Sequence, residues 1–491
     1  MTEPVRSWKQ RAIWIVAFVV LSALLAVLLV VGNGLWDWDT YQRVQFMPVY
    51  RDDVTADTHV LYHHALRALM VTGFSPSASI VVLTATSAAA FLLLVLRVAI
   101  HLGLSLRARI FVVFAASAAS PGLVALFLLR EDNVPYIPIL FALYWVLYRA
   151  PVDRSAATRD GVLGGVLVAI GMLLNISLLV IPIALVAPCV LWRWMPLRAY
   201  RAAVIIAVTF ATYYLVNLTL FHGSRLALHE FLPQALALKD PTTHVPLVST
   251  TRLAQYVGGL RAIALEPSVH MMHVPDALRI ALVVVAPKIL ALLYALVFVD
   301  TLQRDRRALW MSLRGRLDLA AVAGVAFGFP YLYEPTLIER WDVMWAGLVL
   351  VLIVRWARSP SRRSRALIIA IVILQSLGTA ITVAHHFGVA FTDPTIADLR
   401  AATERIDAEG RDPLIFPYDI DRLYLADVAT RTPGKLLYLV HDAGSSFLAY
   451  RVLYLHEHPV PLAEVRWALD HARLPYLSPA VTPRMRTALG R

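Results

Sequence analysis

Long apolar runs, each closed by polar or charged residues, set the pattern of this chain. A run of about 20 apolar residues is long enough to cross a bilayer as a helix. Such runs are read at 12–31, 78–98, 108–129, 134–149, 161–175, 176–192, 202–221, 277–299, 317–331, 342–357 and 366–384. The pattern predicts an α-helical polytopic membrane protein of about eleven spans, followed by a water-soluble tail. The stretch 161–192 is too long for one crossing and has Arg154 and Arg159 before it and Arg193, Arg198 and Arg201 after it. It is therefore expected to go in and return as two short helices turning near Asn175 and Pro182.

The polar segments divide by side. Arg6, Lys9 and Arg11 precede the first run and place the N-terminus in the cytoplasm, because Lys and Arg are retained there. The same rule puts the loop 359–365 inside, and an odd number of spans puts the tail outside. The first run lacks a clean small-residue cleavage site and is kept as an uncleaved span. The domain expectation is a membrane module over 1–384, with outer loops 32–77 and 222–276, and a soluble extracytoplasmic domain over 385–491. In the first outer loop, Val60, Leu61, Leu66 and Leu69 have the spacing of a helix lying in the interface. In the tail, 398–409 and 461–472 read as helices and 413–417 and 436–440 as short strands, enough for a small α/β core.

Composition sharpens this reading. Of 491 residues, 59% are hydrophobic and only 16% charged, with mean hydropathy +0.66. Soluble proteins carry roughly a quarter charged residues, so a soluble enzyme and a disordered chain are both excluded. The net charge of +12 is explained by basic inner loops, and no nucleic-acid partner is expected. Cys189 is the single cysteine, which excludes an intrachain disulfide framework or a CxxC zinc site. No internal repeat, P-loop, GxGxxG or GxSxG motif is present, so ATP-driven transport by this chain alone is not expected.

Candidate chemistry gathers at the expected outer ends of three runs. The first run leads into Trp36-Asp37-Trp38-Asp39-Thr40-Tyr41, the third into Arg130-Glu131-Asp132-Asn133, and the ninth into Glu334, Glu339, Arg340, Trp341 and Asp342. Any one of these clusters reads equally well as a solvated loop beside an interfacial aromatic belt. Their combination on one expected face is the informative feature. Lys288 is a separate signal, lying mid-run after Pro287. A charge at that depth is either functional or a snorkelling side chain.

This arrangement resembles the GT-C membrane glycosyltransferases, among them the protein O-mannosyltransferases, aminoarabinose transferases and oligosaccharyltransferase subunits. The resemblance implies a GT-C-like catalytic module in the cell (inner) membrane. Asp37 and Asp39 match the family's first-loop acidic motif, and Glu131 and Asp132 the second, at the outer end of the third span. The run 161–192 matches the family's short paired helices, 385–491 its outer domain, and Glu339-Arg340-Trp341 its basic, aromatic outer loop. Family members often carry adjacent Asp-Glu in the first loop. The Asp37-x-Asp39 spacing departs from that and leaves open which aspartate acts and whether a metal is bound. The implied activity is transfer of a sugar from a polyprenyl-phosphate donor to an acceptor hydroxyl on a lipid, glycan or protein, with inversion. Asp39 and Asp37 would be catalytic. Glu131, Asp132, Glu339, Arg340 and Lys288 would bind donor or acceptor. Mn²⁺ or Mg²⁺ on Asp39, Glu131 and Asp132 is the optional cofactor.

Two other readings stay open. An O-antigen ligase or polymerase would use outer-loop Arg and His. The loop 222–276 carries His222, His229, His244, His270 and His273 with Arg225, Arg252 and Arg261. A lipid-linked sugar transporter or flippase would need charges deep in several spans and a repeat.

Overall fold

The computed structural model describes residues 8–31, 60–118, 123–124, 127–128, 134–191, 195–220, 249–265, 285–286, 288–297, 299–300, 303, 316–332, 342–358, 361–392, 414–417, 437–443, 446–453, 456–459, 463 and 467. Helices dominate. In chain order they are α1 (Trp8–Val31), α2 (Val60–Val71), α3 (Pro76–His101), α4 (Leu106–Ala118), α5 (Ile137–Tyr148) and α6 (Arg154–Leu174). Then come two five-residue helices, α7 (Val180–Ala184) and α8 (Val186–Val190), and the longer α9 (Pro196–Leu220) and α10 (Thr250–Leu265). The last four are α11 (Lys288–Val297), α12 (Leu317–Leu332), α13 (Asp342–Arg358) and α14 (Arg362–Thr392).

The helix ends follow local chemistry. Ser75, Ser105, Asp153, Ser249 and Ser361 each accept a backbone N–H three residues on, at 3.2, 3.4, 2.7, 3.0 and 3.1 Å. This satisfies one of the free amides at a helix start. Helices α2 and α3 close through Gly73 (φ +100) and Gly103 (φ +71). In each, the glycine N–H returns to the carbonyl three residues earlier and the next N–H to the one five residues earlier. Only glycine takes that left-handed turn without strain.

The expected count of eleven spans is corrected. Among the described residues, five helices, α1, α3, α6, α9 and α14, are long and apolar enough to cross a membrane. The other apolar runs give shorter helices. Among the described residues the run 108–129 carries the 13-residue α4, and 134–149 a 3₁₀ turn at Val134–Tyr136 followed by the 12-residue α5. Helices α12 and α13 have 16 and 17 residues, about 24–26 Å against roughly 30 Å of hydrocarbon. The run 176–192 breaks into a 3₁₀ segment, Ile176–Leu179, and the two helices α7 and α8, which contain Pro182 and Pro188. Counting apolar residues overlooks such interruptions, because hydropathy does not register helix continuity.

The chain is nevertheless an integral membrane protein. Apolar side chains stand exposed nearly all round α1, with Ile13 66%, Val20 52%, Leu24 63% and Val30 64% exposed. A helix of that kind is stable only in hydrocarbon. The tightest helix pair is α6 with α9. A Cβ on Gly161 would lie 2.7 Å from Val204, and one on Gly165 2.6 Å from Val208. Thr209 Oγ1 donates to the Gly165 carbonyl at 3.2 Å. Glycines four apart let two helix backbones approach this closely.

The carboxy-terminal region carries a four-stranded sheet of order β1-β2-β3-β4: Leu414–Pro417, Leu437–Ala443, Ser446–Leu453 and His456–Pro459. Strands β1 and β2 are parallel, with Leu414 beside Leu437, and the rest are antiparallel. Ala443 faces Ser446 across Gly444-Ser445, a dipeptide suited to a tight hairpin. The expected domain boundary at 385 falls inside α14.

Candidate functional site at the bundle end opposite an arginine belt

The two ends of the bundle differ in chemistry. At one end Asp318, in the first turn of α12, is fully buried between Arg198 and Arg201 of α9. Arg198 Nη1 donates to its Oδ1 at 2.8 Å, and Arg201 Nη2 donates to its Oδ2. The same guanidiniums cap α5. Arg198 donates to the Leu147 carbonyl at 3.1 Å, and Arg201 to those of Val146, Arg149 and Leu147 at 2.8, 2.7 and 3.0 Å. The last carbonyls of a helix have no partner within it and carry its negative dipole end, so two cations meet that need where water is excluded. Around this core Arg149 pairs with Asp160 at 3.0 Å, and Arg355 with Asp300 at 3.8 Å. Sequence reasoning missed this belt. Its trace was a lone acid at the start of an apolar run and two arginines three apart.

The belt orients most of the long helices. Helices α6, α9, α12 and α14 begin there, and α5 and α13 end there. His101, at the end of α3, meets Trp145 of α5 edge-on at 5.4 Å, so α3 also ends there. Leu29 of α1 packs with Val81 and Ala85 near the start of α3, in a cluster that Phe127 also joins, so α1 finishes at the opposite end. The chain therefore leaves α1 toward Asp37 and Asp39 at the end away from the belt. It leaves α12 there as well, and enters α5 and α13 there.

Asp37, Asp39, Glu131, Asp132, Glu339 and Arg340 themselves lie outside the described residues. The structure fixes only the elements on either side of them. Phe127, four residues before Glu131, packs against the cluster of Leu29, Val81 and Ala85, and Leu29 is eight residues before Asp37. Lys288 is described. It is on the exposed side of α11 among Val285 (47% exposed), Ile289 (46%) and Leu292 (58%). Asp300 at the belt is twelve residues further on in the chain. Among the described residues no three His, Cys, Asp or Glu side chains gather as a metal site. The carboxylates expected to hold Mn²⁺ or Mg²⁺ are outside that set.

Described polar groups do line the end away from the belt. Helix α2 packs on α3 and α6, burying Tyr62, His63 and Leu66. His64 is held below its ordinary pKa by burial, then by the charge of Arg67 and by His63. Arg252 of α10 is buried and donates from Nε to the Tyr331 carbonyl near the end of α12, at 2.9 Å. Tyr256 and Tyr331 meet edge to face at 5.5 Å. Burial also raises the Tyr256 hydroxyl above its ordinary pKa.

No protein-family profile matches the chain, and no curated protein does. It is similar to the crystal structure of ArnT from Cupriavidus metallidurans bound to undecaprenyl phosphate. The identity is 13%, over 88% of this chain and 93% of that one, with a TM-score of 0.41. A similarity this distant assigns neither a site nor an activity.

Proposed function

We propose that the protein is a membrane glycosyltransferase of the GT-C type that takes sugar from a polyprenyl-phosphate donor. One observation carries the reading. The described elements that flank Asp37 and Asp39, Glu131 and Asp132, and Glu339 and Arg340 share the bundle end opposite the arginine belt, and Leu29 and Phe127, ahead of the first two groups, belong to one apolar cluster. By the positive-inside rule the belt marks the cytoplasmic side, so the carboxylates face outward.

In the proposed reaction the acceptor oxygen attacks the anomeric carbon from the face opposite the phosphate. The C1–O bond to the polyprenyl phosphate breaks, the new glycosidic bond forms with inversion, and the acceptor proton passes to the Asp39 carboxylate. Asp37 supports Asp39. Arg340 balances the charge growing on the leaving phosphate. Lys288, on an exposed helix face, adds positive charge along the approach of a lipid-linked donor. Arg252 is tied to the backbone of α12, which suits an architectural arginine better than the phosphate-binding arginine of a ligase.

The test supplies polyprenyl-phosphate sugars to membranes containing the protein. Wild type should form a glycosylated product, and Asp39→Asn should lose about 10²–10⁴ in rate while folding normally and still binding donor. Asp37→Asn should be milder. Absence of transfer from every polyprenyl-phosphate sugar, or full turnover in both variants, would overturn the assignment.

A further inference from the structure

At the arginine belt, cations also meet an aromatic row. On α5, Trp145 and Tyr148 are stacked with centroids 5.6 Å apart and planes 19° from parallel. His101 extends this aromatic row edge-on. Two guanidiniums stand over the single Tyr148 ring, that of Arg316 at 4.6 Å and that of Arg358 at 5.5 Å. They come from different helix termini, just before α12 and at the end of α13. Each gains from the ring's negative face, yet the two cations repel one another. The carboxylates at this end among the described residues are Asp153, Asp160, Asp300 and Asp318. Asp318, Asp160 and Asp300 are engaged by Arg198, Arg201, Arg149 and Arg355. Arg154, Arg159, Arg362, Arg363 and Arg365 add further positive charge at the same level. The Tyr148 hydroxyl is buried without a hydrogen-bond partner. Ile100, next to His101 in α3, and Leu106 and Ile110 in the first turns of α4 are exposed.

We propose that this platform binds the phosphate of an anionic phospholipid from the leaflet at the belt end. Arg316 and Arg358 hold the phosphate oxygens above Tyr148. The faces of Trp145 and His101, with Ile100, Leu106 and Ile110, receive the first part of the acyl chains. A phospholipid fits where a soluble anion does not, because the cations border an apolar surface at bilayer level. Basic pockets between helix ends on a cytoplasmic face suit such headgroups. The site is remote from the proposed catalytic carboxylates and does not depend on them.

The test compares the full chain in nanodiscs of phosphatidylglycerol or phosphatidylcholine, and in detergent titrated with each lipid and followed by native mass spectrometry and thermal unfolding. Phosphatidylglycerol should be retained and should raise the unfolding temperature above that in phosphatidylcholine. The double variant Arg316→Gln/Arg358→Gln should weaken its binding about thirtyfold, each arginine contributing about fivefold. Should the double variant not fold, Arg358→Gln alone, at an exposed side chain, carries the test with about a fivefold loss. Arg362→Gln/Arg363→Gln, also exposed and at the same level, should change binding less than twofold. Equal loss in that control pair, equal retention of phosphatidylcholine, or equal stabilisation by inorganic phosphate would overturn the proposal.

Discussion

Asp318 joins two helices and caps a third through the arginines it holds, although it is one side chain at the start of an apolar run. Removing one member of a buried ion cluster leaves its partners charged and desolvated, at a cost of about 3–5 kcal/mol. Asp318→Asn should therefore lower the unfolding temperature in detergent sharply and reduce yield, whereas Arg159→Gln, at a side chain 75% exposed, should do neither. His64 makes a smaller, titratable prediction. Its folded-state pKa lies below its unfolded value near 6.5, so the fold disfavours the imidazolium. The associated stability is intact above pH about 6.5 and is lost as pH falls from there through the folded pKa. Unfolding temperatures measured from pH 7.5 to 5 should fall less steeply in His64→Gln than in wild type. At this scale the sequence disclosed the acids that are candidates for chemistry and hid the ones that hold the bundle. Asp39 announces itself by its aromatic neighbours. Asp318 looks like an ordinary first-turn acid, and nothing along the chain says that Arg198 and Arg201 lie across from it.

The α6–α9 pair is the element on which packing depends most. A valine at 165 would drive its side chain into Val208 and the Ile205 carbonyl, which already lie 2.6 and 2.9 Å from where a Cβ would stand. Overpacking of this kind costs about 1–3 kcal/mol. Gly165→Val should lower thermal stability by a matching amount, and Gly258→Val, where nothing lies within 4 Å of the added carbon, should not. Element positions were largely legible. The stretch after 59 with helical spacing is α2, and the strands near 414 and 437 appear where 413–417 and 436–440 read as short strands. Element continuity was not. The turn expected near Asn175 and Pro182 is there, but hydropathy did not show that 176–190 splits into a 3₁₀ segment and two five-residue helices.

For the whole molecule, the belt gives a sidedness that does not rely on counting crossings. Both α1 and α14 start at the belt end and run away from it, so the chain emerges from Thr392 at the far end. In a Cys189→Ser background, a cysteine placed at 4 should react with an impermeant maleimide only after the inner face is opened, and one placed at 480 in intact spheroplasts. The reverse pattern would invert the topology and turn the proposed carboxylates inward. The broken return between α6 and α9 has a consequence for biogenesis. A 3₁₀ turn followed by two five-residue helices leaves backbone groups that lipid does not satisfy, so residues 176–190 are a poor substrate for release from the insertion machinery by themselves. Their cover comes from α9, synthesised after them, and from α12, more than a hundred residues later. The segment should therefore stay sheltered at the translocon or with an insertion chaperone until α12 has been made, and ribosome-arrested chains ending before 317 should crosslink to that machinery through residues 176–190.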